Sequence, residues 1–216
     1  GVLSGQNALV TGGGSGIGLA CAGAFAADGA NVLIMGRNPE KLKAAASELA
    51  VIEGAGEINS YTGDVSSEAD VAAAAEKASL NGRLDIAIAN AGTGGLSPIL
   101  VTETSNWDEI MQTNLNGTFY TIKHAGRWMA QSGGGAICAI SSIAGVRTHR
   151  FMGSYCVSKA GIDMLVRNSA DELGVANIRV NSVCPGLVET ELASGLLQTQ
   201  EVFNDYLDCM PISRHG

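Results

Sequence analysis

No two cysteines in this chain stand in CxxC spacing, and the five that occur (Cys21, Cys138, Cys156, Cys184, Cys209) are odd in number and scattered. A disulfide framework is therefore disfavoured, and a reduced, cytoplasmic protein is expected. Basic side chains are also scarce, 13 against 21 acidic ones, for a net charge of −8. That balance argues against nucleic acid as a partner, and no polybasic patch is present to seek a membrane surface. His124, His149 and His215 are dispersed, without HxxxH or Cys/His spacing, so no metal site is expected. No charged-then-apolar leader opens the chain, which starts at Gly1, and no apolar run is long enough to span a bilayer. Repeats, low-complexity tracts and obvious linkers are missing too. Aromatic residues make up 5% and charged ones 16%, whereas apolar residues reach 46% of the 216. Such a chain suits one α/β domain, residues 1–216, with a full core and small residues for close helix–sheet packing.

What the chain does contain is alternation. Short apolar runs predict strands at 7–11, 31–35, 58–62, 85–89, 136–140 and 178–183. Helical stretches fall between them, at 16–28, 39–49, 68–80, 107–130 and 153–173. Strand–helix alternation with runs buried on both faces implies a parallel sheet built from right-handed βαβ units. The polar and glycine-rich signals sit just past the strand ends: Thr11–Gly18, Gly36–Arg37, Asp64–Val65, Asn90–Gly92, Ser141–Ser142 and Pro185–Gly186. In an open parallel sheet the carboxyl ends of the strands form the ligand crevice, so these six points converge on one site.

"TGGGSGIG", from Thr11 to Gly18, follows a strand and opens a helix, as a phosphate-cradling turn requires. Glycines let the backbone approach a pyrophosphate, and free N–H groups with the helix dipole favour its charge. No glycines here stand at i, i+2 and i+5, the common dinucleotide spacing; Gly12, Gly16 and Gly18 do the work instead. Gly12 and Gly16 are expected at the turn and the phosphate, and Gly18 against the sheet. A tight turn that needs small residues only for packing is the competing reading.

"SYCVSKAG" sets Tyr155 and Lys159 four residues apart, on one face of a helix. An ammonium about 4 Å from a phenol is worth about 4 kcal/mol at an effective dielectric near 20. That would bring the phenol from near 10 toward about 7, where a general acid/base works best. A tyrosine and a lysine on a half-exposed helix face, with no chemistry, is the other reading, since Y-x-x-x-K alone is common. Ser142, thirteen residues earlier at a strand end, can hydrogen-bond the same oxygen that the tyrosine protonates.

Taken together and in order, Thr11–Gly18, Asn90-Ala91-Gly92, Ser142, Tyr155-x-x-x-Lys159 and Pro185-Gly186 resemble the short-chain dehydrogenase/reductase family over nearly the whole chain. The resemblance implies a doubly wound, Rossmann-like sheet in three layers, with strand order 3-2-1-4-5-6. It implies Tyr155 as acid/base, Lys159 on the phenol and the nicotinamide ribose, and Ser142 on the substrate oxygen. It gives Asn114, in "MQTNLNGTF", a water of the proton relay, though a buried asparagine can equally be a structural hydrogen-bonder. Cofactor contacts are implied for Gly12, Ser15, Gly16, Ile17, Gly18, Asp64, Val65, Asn90, Ala91, Gly92, Pro185, Gly186, Val188 and Thr190. Family members usually add a seventh strand and a further helix, which "PISRHG" does not supply. Sugar, steroid and acyl-thioester enzymes share these motifs, with 3-oxoacyl carrier-protein reductases the nearest resemblance.

The implied reaction is hydride transfer between a nicotinamide and a secondary alcohol or ketone, a small molecule. An enoyl-thioester reductase on the same scaffold and a non-catalytic nucleotide sensor are alternatives, which the Ser142–Tyr155–Lys159 set disfavours. A methyltransferase would need an acidic residue after strand two, where Gly36-Arg37 stands. The same position favours NADP(H) over NAD(H), because Arg37 can pair a 2′-phosphate that an acidic residue would repel. Helices 107–130 and 153–173 carry apolar residues on more than one face, which predicts a homo-oligomer, a tetramer or a dimer. Ile122, Trp128 and Met129 are expected in the core or an interface, and Cys156 as a small buried thiol. Arg147, His149 and Arg150 either meet an anionic substrate tail or form a solvated loop.

Overall fold

Six apolar runs pair into one sheet in the computed structural model, which describes residues 1–193 and 216. The strands are β1 (Asn7–Thr11), β2 (Asn31–Gly36), β3 (Ile58–Thr62), β4 (Ile86–Ala89), β5 (Gly135–Ile140) and β6 (Ile178–Val183). Their order is β3-β2-β1-β4-β5-β6, as expected, and every pair is parallel. The register sets Val10 of β1 between Ile34 of β2 and Ile88 of β4. Successive side chains point to opposite faces, so one strand feeds two cores. Ala8, Val10, Val32 and Ile34 meet α1 (Gly16–Ala27) and α2 (Pro39–Ala50) through Ala22, Ala26, Leu42, Ala45 and Leu49. Leu9, Leu33 and Met35 belong to the other face, with Val71, Ile122, Met129, Ile162 and Val166 of α3 (Glu68–Ala78), α5 (Gly117–Gln131) and α6 (Gly153–Leu173). Helix, sheet, helix makes three layers.

Two helix starts are fixed by side-chain caps. Asn38 accepts from the amides of Glu40 and Lys41, both at 3.0 Å, with Pro39 at the first helical position of α2. Ser67 accepts from the Asp70 amide to start α3.

Two expectations need correction. The edge strands are not buried on both faces: no residue of β3 is fully buried, and in β6 Ile178 and Val180 are buried while Arg179, Asn181 and Val183 are exposed. The β6 sequence alternates accordingly, the mark of a strand with one covered face. The helix expected over 107–130 is three pieces: α4 (Thr104–Ile110), a π-helical turn at Met111–Asn116, then α5. A π turn holds one residue more than the surrounding helix can take in phase, and it persists where side chains reward it. Here Asn114 within it is fully buried and bonded on all sides. Trp128 packs against the core beside Ile122 and Met129, whereas Phe119, Val157 and Met164 stay about half exposed on α5 and α6.

Candidate active site

The glycine loop is clamped before anything binds to it. Gly12 and Gly16 adopt φ of +65° and +54°, the left-handed region that suits glycine. The Asn90 amide donates to Thr11 O at 3.0 Å and Gly12 O at 3.2 Å, tying the loop to the end of β4. The Thr11 hydroxyl accepts from the amides of Asn90 and Ala91 while donating to Ile88 O. A Cβ on Gly18 would lie 2.3 Å from Gly12 O, so Gly18 is where α1 packs on the loop. Unlike α2 and α3, α1 has no side-chain cap, since Ser15 at its N-cap makes no such bond. Its first amides thus face the cleft with their positive dipole end, a seat for an anion.

At the other end, Ser142 follows β5 in an extended conformation and its Oγ accepts from the Ala144 amide at 3.1 Å. That leaves its own hydrogen for Tyr155, whose phenolate form it favours. Tyr155 stands in the first turn of α6 with the Gly94 backbone against its ring. Lys159, one helical turn on and buried, lies with Nζ 5.5 Å from the ring centroid and donates to Ile140 O at 2.7 Å. Burial lowers the ammonium to about 8, although Asp163 and Cys184 pull the other way. The expected drop of the phenol toward 7 does not occur. Burial is the largest influence on Tyr155 and pushes its pKa up, Ser142 lowers it, and Cys156 raises it further. Desolvating a phenolate outweighs a cation that lies 5.5 Å from the ring centre and gives its hydrogen bond to Ile140.

One cleft of about 550 Å³ joins both ends. Gly12, Ser15, Gly16, Ile17, Gly36, Arg37, Asp64, Val65, Asn90, Ala91, Gly92, Ser142, Tyr155, Lys159, Pro185, Gly186, Val188 and Thr190 all line it. Asp64 is held in place there, its Oδ1 accepting from the Ser66 amide at 2.9 Å. Gly18 and Asn114 do not line the cleft. Asn114 Oδ1 accepts from the Thr93 amide, and its Nδ2 donates to Thr93 O and Ser158 Oγ. Ser158 in turn donates to the Tyr155 carbonyl at 2.7 Å, so Asn114 braces the tyrosine helix from behind. Gly94, Gly95, Leu96, Met152, Leu187 and Leu192 also line the cleft. Residues 194–207, with Cys209 and His215, lie outside the described residues.

Arg147, His149 and Arg150 do not line the cleft; Arg150 stacks over the Phe151 ring at 5.3 Å. His124 pairs with Glu68 instead, at 3.0 Å. Cys156 is half-buried rather than buried. Two residues escaped the sequence reading. Lys41 lines the cleft beside Arg37, and its signal was its place in the first turn after strand two. Asp163, buried behind Lys159 and accepting from Ser182 Oγ at 3.1 Å, follows the lysine by four positions.

An uncapped helix start over two left-handed glycines, opening into the cleft that holds the tyrosine, fits a dinucleotide. The sequence profile described as short chain dehydrogenase matches residues 6–201. This chain belongs to the short-chain dehydrogenase family. Among relatives of this short-chain dehydrogenase is galactitol 2-dehydrogenase (L-tagatose-forming) of Cereibacter sphaeroides. The two are 36% identical over 99% of this chain and 84% of the relative. The 3-oxoacyl-acyl-carrier-protein reductase of Chlamydia muridarum is 34% identical over all of this chain and 86% of its own. A solved short-chain type dehydrogenase/reductase from Mycobacterium ulcerans superposes with a TM-score of 0.95 at 40% identity. The match covers 99% of this chain and 79% of that one. The protein is an NAD(P)-dependent short-chain oxidoreductase acting on CH–OH and C=O groups.

Proposed function

We propose that Tyr155 is the general acid/base of a reversible ketone–alcohol interconversion, with Ser142 and Lys159 as its partners. The observation that carries this is that Ser142, Tyr155 and Lys159 line one cleft together with the uncapped start of α1. The bound nicotinamide supplies or accepts the hydride. As a carbonyl oxygen gains negative charge, Tyr155 gives it a proton and the Ser142 hydroxyl gives it a hydrogen bond. Lys159 stabilises the phenolate left behind and, from the cleft wall, reaches the ribose hydroxyls. The glycine loop with Ser15 and Ile17 holds the pyrophosphate. Asp64 and Val65 border the adenine, while Asn90–Gly92, Pro185, Gly186, Val188 and Thr190 border the nicotinamide half. Asn114 acts as a positioning residue.

NADP(H) is the favoured cofactor, because Gly36 leaves room at the adenosine ribose and Arg37 lines the same wall. Half-exposed Phe119, Val157 and Met164 on α5 and α6 support assembly with further copies, as a dimer or tetramer. Four free cysteines among the described residues support a reducing compartment, the cytoplasm. Following 340 nm absorbance with NADPH or NADH against polyol-derived ketones, steroid ketones and 3-oxoacyl thioesters tests the reaction. Consumption of NADPH with one carbonyl class is expected, and no consumption with any carbonyl overturns it.

A further inference from the structure

Lys41 and Glu191, 150 positions apart in the chain, meet across the mouth of the cleft. The ammonium touches both carboxylate oxygens, at 2.6 and 2.8 Å, and both residues line the cleft wall. The pair straddles the glycine loop. On one side the Lys41 stem lies 3.8 Å from where a Cβ would stand on Gly14. On the other, the Thr190 methyl next to Glu191 is 3.2 Å from that point on Gly16. At the adjoining start of α2, the Glu40 and Lys41 amides are already taken by the Asn38 side chain. An anion arriving there therefore depends on side-chain cations, and the cleft offers two at that end, Arg37 and Lys41.

We propose that Lys41 is a second cation for the 2′-phosphate of NADP(H), and that Glu191 is its built-in competitor. The proposal rests on the NADP(H) reading above. In the structure the Glu191 carboxylate occupies the ammonium that a phosphate needs, and its charge repels that phosphate. The two side chains are 50% and 70% exposed, and a pair so solvated is worth little. A phosphate carries close to two negative charges and three acceptor oxygens, against one charge and two oxygens on the carboxylate. The 2′-phosphate therefore displaces Glu191 at small cost, and the strength of cofactor discrimination is set by that exchange as well as by Arg37.

Calorimetric titration of the intact protein with 2′,5′-ADP and 5′-AMP tests this without turnover, because the affinity ratio isolates the 2′-phosphate. Lys41→Met keeps the aliphatic stem and is expected to lower the ratio about 5- to 30-fold, with Lys41→Arg retaining most of it. Glu191→Gln is expected to raise the ratio about 2- to 5-fold, and to keep only the smaller part due to charge repulsion when Lys41 is already Met. A wild-type preference for 2′,5′-ADP that survives Lys41→Met, or equal weakening of both ligands, overturns the role of Lys41 while leaving the NADP(H) reading intact. A wild-type ratio near one overturns both.

Discussion

The Lys159 ammonium lies 5.5 Å from the centre of the Tyr155 ring and gives its hydrogen bond to Ile140 O, 2.7 Å away. The lysine is thus anchored to the end of β5, and the phenol is governed mainly by its own burial. Tyr155 holds its proton with a pKa above the ordinary value of 10. Reduction uses the protonated phenol and oxidation the phenolate. Ketone reduction should stay level up to about pH 7 and decline above it, as Lys159, with a pKa of about 8, loses the charge that steadies the phenolate. Alcohol oxidation should climb through the alkaline range. Rate profiles in both directions check this, and an oxidation optimum at neutral pH would contradict it.

Tyr155→Phe removes the proton donor and keeps the ring. Turnover should fall at least about 10²- to 10⁴-fold, with cofactor affinity within a few-fold. Lys159→Ala should damage both. Rates together with fluorescence titration of the cofactor separate the two; a tenth of wild-type turnover in Tyr155→Phe would sink the assignment.

Lys159 also leaves a mark on stability. Its pKa is about 8 in the folded protein against an ordinary 10.5. Between those values the unfolded chain keeps a proton that the folded chain has released, so this group's contribution rises with pH across that window. The gap corresponds to about 3 kcal/mol. Denaturant unfolding of the wild type relative to Lys159→Met should show that rise from pH 8 to 10.5. Asp163 opposes the lowering, so Asp163→Asn should start the rise at lower pH. Curves for wild type and Lys159→Met that run parallel would refute the linkage.

Cofactor choice can be moved at the end of β2. A side chain on Gly36 would begin 3.5 Å from the Leu42 methyl, an ordinary contact, so Gly36→Asp is accommodated. Combined with Arg37→Ala it should shift preference toward NAD(H) by about 30- to 1000-fold. Steady-state kcat/KM with both cofactors decides, and a wild type that prefers NADH would reduce Arg37 to a surface residue.

The half-exposed stripe on the outer helices gives a further test. Val157 and Met164 are seven positions apart on α6, 47% and 52% exposed. Val157→Glu with Met164→Glu should lower the oligomeric state in sedimentation at micromolar concentration without loss of fold by circular dichroism. A monomeric wild type would contradict the assembly.

The strands, their order and the glycine loop could be read from the chain because burial and turn chemistry leave local marks. Tyr155 and Lys159 announced themselves by helical spacing, yet spacing says nothing about how dry the phenol is, and dryness decides its pKa. The one-sided burial of β6 is legible in "IRVNSV", where apolar and polar residues alternate. The Lys41–Glu191 contact was not legible, since nothing local ties two residues at opposite ends of the chain. For Asn114 a structural hydrogen-bonding role is one of the two readings the chain allows, but its partners Thr93 and Ser158 come from two other segments and leave no local mark.

The π turn at Met111–Asn116 acts as a fixed ruler between α4 and α5. A loop absorbs the loss of a residue by rerouting, but each helical residue carries about 100° of rotation. The π turn spreads one residue more over the same rotation, so deleting one would restore a regular helix with α4 and α5 still in phase. Ile122 and Met129 would keep the core, and the loss would fall on Asn114, which would be carried away from Thr93 and Ser158. A deletion should therefore weaken the brace behind Tyr155 here and be tolerated in the turn after α2. A one-residue deletion in each, compared by thermal melting, measures how unequally the molecule treats two insertions or deletions of the same size.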